Sequence, residues 1–211
     1  MYTLYYSPGT ASMVVHLALL EIGCPYELVK VDFAKGEQHR PEYLRLNPLG
    51  RVPTLVIDGH PYSESTALLM LLAERHPEAA LAPAPGSELR PGWYQWTVYF
   101  ANALMPVYRF WFYPPDLGQI EHSPANAEAL RERIEGAWAA VDQHLAAHGP
   151  YLLGERFSGT DLLATMLMRW SRNMPRPATE WPALRRLADL VRARPSWARL
   201  YELEGLTEWR S

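Results

Sequence analysis

Glu64 and Ser65 stand where the sequence predicts the start of a helix, and together they could bind the end of an amino acid. The Ser65 hydroxyl and the free N–H groups of a helix start bind a carboxylate, and the Glu64 carboxylate binds an ammonium group. No Glu or Gln stands three residues after Ser65, so no capping box engages its hydroxyl. Taken alone, the pair is more typical of a plain N-cap beside an exposed acid.

A second stretch, Asn-Pro-Leu-Gly-Arg-Val-Pro-Thr at positions 47–54, could bind a peptide through its main chain. Pro53 opens a predicted strand, where its missing N–H costs little. If the bond between Val52 and Pro53 were cis, the N–H and C=O of Val52 could face outward and pair with a peptide ligand. Only about 5–6% of X-Pro bonds are cis in general.

A third stretch, from Tyr5 to Ser12, places hydroxyl groups between a predicted strand and the helix that follows it. Free N–H groups and the partial positive charge of a helix start stabilise a thiolate. A thiol with a pKa of about 8.5 is only slightly ionised near neutrality, and each unit of depression needs about 1.4 kcal/mol. A hydroxyl together with the helix start could supply that energy. The alternative is that Thr10 or Ser12 only caps the helix.

The elements that would position these three stretches follow the order β-α-β-α-β-β-α, which is typical of a compact α/β unit. The strands are predicted from alternating aromatic and β-branched runs, and the helices from the helical spacing of apolar residues. The turn signals Pro8-Gly9 and Asp58-Gly59 separate them. The predicted strands are 2–6, 26–33, 52–57 and 60–62. The predicted helices are 11–22 and 64–74, with a short helix or irregular segment at 37–46.

The rest of the chain shows no strand pattern and is predicted to be all-helical. A linker rich in Pro and Ala covers 76–86 and separates a first domain, 1–77, from a second, 87–211. Predicted helices cover 87–113, 124–148, 158–174 and 181–194, and a last short helix follows Pro195. An uncharged run from Arg90 to Arg109 approaches the length of a membrane span, but its prolines, Gly92, Gln95 and Asn102 favour a buried helix.

Composition excludes several classes of protein. The formal net charge of -3 gives no reason to expect nucleic acid or an acidic membrane as a partner. A single cysteine, Cys24, excludes an internal disulfide and favours a reducing compartment. The N-terminus shows no signal-peptide pattern, and we expect a cytoplasmic location. His144 and His148 share a helix face, but no third ligand completes a metal site, so we expect no metal.

In combination, the three stretches resemble the cytosolic glutathione transferases. The run Asn-Pro-x-Gly-x-Val-Pro-x-Leu followed by Glu-Ser-x-Ala is specific as a pair, and the resemblance covers nearly the whole chain. Phe157 to Asp161 is similar to the helix-capping box of that family, with Asp161 as the reciprocal cap. The resemblance implies a thioredoxin-like α/β domain followed by an all-α C-terminal domain, the glutathione transferase fold.

The resemblance also implies the ligand and its site. Glutathione would be the co-substrate, with Val52 pairing to its cysteinyl backbone beside a cis Pro53, and with Glu64 and Ser65 holding the γ-glutamyl end. The glycyl carboxylate would be held by one of three residues: Lys35, Gln38 or Arg51. The helical domain would line the electrophile pocket and supply much of a homodimer interface. The pocket would draw on an aromatic-rich stripe: Met105, Tyr108, Arg109, Trp111 and Phe112.

The opening Tyr-Tyr-Ser-Pro-Gly-x-x-Ser is most similar to the bacterial beta-class branch, with one departure. Ala11 stands where that branch usually has a cysteine, so a mixed disulfide with glutathione is excluded at this position. The branch's assisting histidine would fall near 102–105, where there is none. Ser12 matches the catalytic serine of theta-like branches and Tyr5 matches the tyrosine position of others. The candidates for thiol activation are ranked Ser12, Thr10, Tyr5.

The main hypothesis is a glutathione S-transferase that detoxifies by joining the thiolate to a small hydrophobic electrophile. Arg109 among aromatic residues could instead receive an acidic substrate, and the aromatic stripe could simply be helical core. A second hypothesis is glutathione-dependent reduction of a disulfide or peroxide. A third is a non-catalytic, partner-binding protein of this fold, similar to the stringent-starvation type that contacts RNA polymerase.

Overall fold

The computed structural model describes residues 1–210, and its first part is built on a four-stranded sheet of order β2-β1-β3-β4. The strands are β1 (Tyr2–Tyr6), β2 (Tyr26–Lys30), β3 (Thr54–Ile57) and β4 (His60–Ser63). β1 pairs in parallel with β2 and antiparallel with β3, which pairs antiparallel with β4. Tyr5 lies opposite Thr54, and Thr54 lies opposite Ser63. β1 therefore ends, β3 begins and β4 ends at one edge of the sheet.

Helices cover both faces of this sheet. They are α1 (Ser12–Ile22), α2 (Pro41–Leu44) and α3 (Ser65–Arg75). The Tyr6 ring lies 6.0 Å from the His16 ring of α1, whereas the Tyr5 ring lies 5.9 Å from the Tyr43 ring of α2. Because neighbouring strand residues point to opposite faces, α1 and α2 lie on opposite sides of the sheet. This arrangement and the helical second part confirm the predicted fold class.

The second part is all-helical, as predicted. Its helices are α4 (Arg90–Tyr99), α5 (Met105–Phe112), α6 (Pro124–His148), α7 (Gly159–Trp170) and α8 (Pro182–Arg192). The single helix predicted at 87–113 is interrupted by a π-helical turn, Phe100–Leu104. Pro106, in the first turn of α5, has no N–H and its ring crowds the carbonyl four residues earlier, so an unbroken α-helix would be strained there.

The core of the second part is aromatic at its centre and closed at the start of α7 by a polar cap. Trp93, Trp138 and Tyr108 are fully buried, and the Trp138 indole N–H donates to the Tyr108 hydroxyl over 2.9 Å. Asp161 accepts from the main-chain N–H of Ser158, which confirms the predicted capping box. Among residues 1–210, none of the helices combines the length and apolar character that crossing a bilayer requires.

The last helix, α9 (Pro195–Glu204), belongs with the sheet. The compact units are residues 1–82 together with the chain from Arg192 onward, and residues 83–191. The sequence predicted a single helical domain over 87–211, which includes these C-terminal residues. Polar contacts on α1 account for the difference: Arg194 donates two hydrogen bonds to Glu21, at 2.7 and 2.6 Å, and the His16 Nδ1 lies 2.8 Å from Glu204.

Candidate functional site

Three segments of the first unit meet at the sheet edge where β1 ends. They are the β1–α1 loop at 7–11, the loop at 47–53 and the start of α3. The register of Tyr5, Thr54 and Ser63 across the sheet places them side by side. The structure therefore brings together the three stretches that the sequence analysis singled out.

The start of α3 offers polar groups that have no partner within residues 1–210. Ser65 is buried to 4% exposure, and its hydroxyl makes no hydrogen bond within residues 1–210 although it is not sealed from solvent. Glu64 is exposed and its side chain does not cap the helix. Its backbone has φ 71° and ψ 98°, a conformation that residues with a Cβ rarely adopt. A carboxylate can bind at Ser65 and an ammonium group at Glu64.

The loop at 47–53 is held by side chains of its own neighbourhood. The Asn47 side-chain amide and the Tyr43 hydroxyl both donate to the Arg51 carbonyl, at 2.8 and 2.6 Å. Gly50 has φ 61°, and a Cβ there would come within 3.0 Å of the Gln38 carbonyl oxygen. Only glycine fits this conformation and this close approach. The Asn-Pro-x-Gly part of the motif therefore fixes the loop that presents Val52.

Val52 presents its main chain as predicted. The Val52–Pro53 peptide bond is cis, which confirms the expectation drawn from the family resemblance. Neither the N–H nor the C=O of Val52 makes a hydrogen bond within the described chain, while its side chain is buried against Tyr43 and Val31. An extended peptide could pair with both groups, as a strand pairs with a sheet edge.

The three candidates for a glycyl carboxylate differ in their surroundings. Lys35 is exposed and forms a surface ion pair with Asp32 at 3.1 Å. Arg51 is exposed and makes no ion pair within residues 1–210. The Gln38 side-chain oxygen is buried without a hydrogen-bond partner in the described chain. Lys35 and Gln38 lie in the short 3₁₀ turns Phe33–Lys35 and Glu37–His39 that precede α2, and Arg51 lies in the loop at 47–53.

The hydroxyls of the β1–α1 loop point inward. Ser12 is 0% exposed, and its Oγ donates to the Ser7 carbonyl at 3.1 Å and accepts from the Ser7 N–H at 3.3 Å. Thr10 is half-buried, and its Oγ1 donates to the same carbonyl at 2.7 Å and lies 3.0 Å from the Ser12 Oγ. The Ser12 hydroxyl is therefore hydrogen-bonded within the loop, and its role in thiol activation stays a prediction.

Tyr5 faces a different part of the molecule. Its ring packs on Tyr43, and it lines a cavity of about 380 Å³ together with Val29, Lys30 and Arg40. Val52, Glu64 and Ser65 do not line this cavity. Tyr5 therefore stays last among the candidates for thiol activation.

The sequence did not predict one residue that supports the β1–α1 loop. Glu204 of α9 is 6% exposed; its Oε2 accepts from the Gly9 N–H at 2.9 Å and its Oε1 lies 2.8 Å from the His16 Nδ1. His16 also contacts the Tyr26 hydroxyl at 3.0 Å through its Nε2. Burial, followed by the charge of Glu204, raises the pKa of the nearby Tyr6 hydroxyl. The only sequence signal for this network is a lone histidine on an apolar helix face.

The predicted electrophile residues lie on α5, in the second unit, but they do not all face outward. Tyr108 is 0% exposed, and burial raises its pKa well above the usual range, so its place in an electrophile pocket stays a prediction. Arg109 is paired with Asp116 at 2.5 Å and lies over the Tyr113 ring at 3.7 Å. The stripe is thus part core and part surface: Met105 and Trp111 are half-buried and Phe112 is 47% exposed.

The surroundings of Arg109 and of the histidines do not favour an acidic substrate or a metal ion as a ligand. The Arg109–Asp116 pair neutralises the charge that an acidic substrate would need. The His144 Nε2–H donates to the Leu152 carbonyl over 3.0 Å. In the part of the chain that the structure describes, no three His, Cys, Asp or Glu side chains are grouped so that they could hold a metal ion.

Comparison with known families identifies the family of the chain. Residues 2–80 match the family model of the glutathione S-transferase N-terminal domain, and residues 124–202 match that of the C-terminal domain. A curated relative, glutathione S-transferase GST-4.5 of Xanthomonas campestris, is 30% identical over 80% of this chain and 81% of its own. The disulfide-bond oxidoreductase YfcG of Escherichia coli is 28% identical, covering 93% of this chain and 92% of its own.

Solved structures show the same fold. A ternary complex of BphK, a bacterial transferase, superposes with a TM-score of 0.86 at 32% identity, covering 97% of this chain and 100% of that one. A sphingomonad glutathione S-transferase complexed with glutathione gives 0.86 at 29% identity, with the same coverage. The chain belongs to the glutathione S-transferase family. The predicted family, transferase class and glutathione co-substrate are thereby confirmed.

Proposed function

We propose that the protein joins the thiolate of glutathione to a small hydrophobic electrophile, with the tripeptide held at the sheet edge of the first unit. The observation that carries this proposal is a set of polar groups at that edge that have no hydrogen-bond partner within residues 1–210: the main chain of Val52, the hydroxyl of Ser65 and the carboxylate of Glu64. In the reaction, the thiol loses its proton, sulfur forms a bond to the electrophilic carbon, and the leaving group departs with its electron pair.

Each group matches one part of the tripeptide. Val52 pairs with the cysteinyl main chain, Ser65 and the start of α3 bind the γ-glutamyl carboxylate, and Glu64 binds its ammonium group. Arg51, with an exposed charge and no ion pair in residues 1–210, is the strongest of the three candidates for the glycyl carboxylate. Lys35 and Gln38 are the alternatives.

The electrophile is proposed to be apolar and aromatic. Phe112 is 47% exposed and stacks on Tyr108 with ring planes 12° apart, so a flat aromatic substrate has a matching surface on α5. Met105 and Trp111 extend this surface. Titration calorimetry with glutathione, followed by turnover of an aryl halide, tests binding and reaction separately. Absence of binding at millimolar glutathione would favour the non-catalytic, partner-binding reading.

A second candidate function is reduction of a disulfide or peroxide with glutathione thiols. The similarity to a disulfide-bond oxidoreductase of Escherichia coli favours it. Because Ala11 leaves the loop without a protein thiol, such a reduction would use glutathione thiols alone. Assays with an aryl halide and with a mixed disulfide of glutathione, run on the same preparation, separate conjugation from reduction.

The protein is further proposed to be a cytoplasmic homodimer. Tyr94 and Val98, four residues apart on α4, are 40% and 46% exposed and form an apolar face suited to a second copy. Sedimentation of the wild type and of a Val98→Glu variant tests this proposal, since a charge on the face should shift the dimer toward monomer.

A further inference from the structure

A cavity of about 380 Å³ lies on the face of the sheet that α2 covers, within the first unit. Tyr5 and Val29, which lie opposite each other in β1 and β2, line it from the sheet, and Val31 extends this floor. Tyr43 and Leu46 line it from α2 and the residues that follow. Its volume lies in the range of about 300–1,000 Å³ that is typical of small-molecule sites. The groups proposed to hold glutathione do not line it.

Lys30 lines the cavity at the free edge of β2. The N–H of the next residue, Val31, donates to the Tyr6 carbonyl over 2.8 Å, so the main chain of Val31 faces β1. Successive strand residues turn their N–H and C=O groups to opposite sides, and those of Lys30 therefore face outward, without a partner within residues 1–210. Lys30 pairs with Tyr6, whose ring faces α1, so its side chain lies on the face away from the cavity. The cavity thus receives the Lys30 main chain.

The acidic and basic side chains around the cavity leave one carboxylate without a partner. The Arg40 guanidinium pairs with one Glu37 oxygen at 3.2 Å, and the other Glu37 oxygen accepts from the Asp32 N–H at 2.9 Å. Glu42, at the start of α2, is exposed, and its carboxylate makes no hydrogen bond or ion pair within residues 1–210. Since the charges of Arg40 and Glu37 cancel, the charge that remains at the cavity is negative.

The polar groups of the cavity that have no partner within residues 1–210 are mostly hydrogen-bond acceptors. They are the Glu42 carboxylate, the Lys30 carbonyl and the Tyr5 hydroxyl. An ammonium group has three N–H donors and no acceptor, so it matches these groups. The Tyr5 and Tyr43 rings lie 5.9 Å apart, and aromatic faces attract cations. A ligand carboxylate would instead meet Glu42, which has the same charge.

From these features we infer that the cavity is a second ligand site, which binds a small organic ammonium compound with an apolar, aromatic body. The ammonium group pairs with Glu42. The body packs on Tyr5, Tyr43 and Leu46. Glutathione would use the main chain of Val52 and the start of α3, so the two ligands bind at the same time. The inference therefore goes beyond the proposed function and does not depend on it.

Three probes of similar size and different charge test the chemistry of the site. They are 2-phenylethylamine, 2-phenylethanol and 3-phenylpropanoate, each titrated into the full chain by calorimetry near neutral pH and at low salt. We expect the amine to bind. The alcohol should bind roughly tenfold more weakly, because it loses the charge pairing and the attraction of the aromatic rings. The carboxylate should bind more weakly still. Saturating glutathione should leave the affinity for the amine unchanged.

Two variants test the location. Glu42→Lys should weaken the amine about fivefold or more and reverse the preference, so that 3-phenylpropanoate becomes the better ligand. Glu27→Lys is the matched control, because Glu27 is also an exposed acid of the first unit but does not line the cavity. Val29→Trp should abolish amine binding by filling the cavity. Val29 is 37% exposed, and tryptophan is well suited to a strand, so the fold should tolerate this change.

Several results would overturn the inference. Equal affinities for the amine and the alcohol, or equal losses in Glu42→Lys and Glu27→Lys, would show that no specific charge pairing occurs at Glu42. Displacement of the amine by glutathione would place it at Glu64 instead. If Val29→Trp fails to fold, the reversed preference of Glu42→Lys decides the location alone. If the wild type does not bind glutathione but shows the expected pattern with the three probes, the proposed function fails and the second site stands.

Discussion

The starts of α1 and α7 are stabilised in different ways. At α7, Asp161 accepts from the Ser158 N–H at 2.7 Å and from the Leu152 N–H at 2.9 Å, so side chains close in sequence occupy the free donors. At α1, the Thr10 Oγ1 accepts from the Ser12 N–H at 3.4 Å, and further support comes from Glu204, 195 residues away from Gly9. The start of α7 is therefore held by residues close in sequence, whereas the loop before α1 also depends on a contact from the far end of the chain.

Removal of the distant support should have the largest effect on stability. Glu204→Ala leaves the Gly9 N–H and the His16 ring without an acceptor in a buried site. We expect a loss of about 4 kcal/mol in the free energy of unfolding, measured by urea denaturation. Glu204→Gln is the control, since it keeps the size and one acceptor and should lose less. Equal losses in the two variants would show that packing, not the hydrogen bonds, is responsible.

The local cap at α7 should have a smaller effect that depends on pH. Burial raises the pKa of Asp161 to about 6, although the N–H groups of Leu152 and Ser158 limit the rise. The unfolded chain has an Asp pKa of about 3.9. Between these values the native state binds a proton that the unfolded state has released, so higher pH favours unfolding.

The contribution of Asp161 to the free energy of unfolding should therefore be complete below about pH 4. It should fall by up to about 3 kcal/mol as pH rises to about 6, and stay constant above. Asp161→Asn should be less stable at every pH, because its amide cannot accept all the donors, and should lack this slope. A wild-type profile that rises between these pH values, relative to Asp161→Asn, would contradict the prediction.

Two serines sharpen the contrast within the first unit. Ser12 is fully buried and bonded to Ser7, whereas the Ser65 hydroxyl has no partner within residues 1–210. Ser12→Ala should lose about 1–2 kcal/mol of stability and leave the thiol pKa of bound glutathione nearly unchanged. Ser65→Ala should keep its stability and lose about tenfold in glutathione affinity. The reverse pattern, with Ser12 governing the thiol, would support the ranking drawn from sequence.

Local patterns in the sequence predicted most local features, although not the π-helical turn before Pro106, and missed those that depend on distant contacts. The strand at 2–6, the helix at 124–148 and the cap formed by Ser158 and Asp161 follow from spacing, turn residues and capping chemistry. The Glu204 contact could not be predicted, because nothing near Gly9 in the chain indicates it. The direction of the Ser12 hydroxyl was equally hidden, because a serine at a helix start can face either way.

The smallest effect is expected at Glu64, where stability and binding should move in opposite directions. Its φ of 71° is strained for a residue with a Cβ, and glycine removes that strain while it costs chain entropy. Glu64→Gly should therefore gain about 0.5–1 kcal/mol of stability and lose roughly tenfold in glutathione affinity, because the ammonium group loses its carboxylate.

Glu64→Ala is the matched control for this trade. It removes the same carboxylate and retains the Cβ, so it should lose the same affinity with no gain in stability. Thermal unfolding of the two variants measures the change in stability, and calorimetry measures the change in glutathione affinity. If both variants bind glutathione as the wild type does, Glu64 does not hold the ammonium group. If both variants lose affinity but neither gains stability, contacts within the protein hold the Glu64 backbone in this conformation, independently of ligand binding. The start of α3 would then be stabilised by contacts within the protein, as the start of α7 is.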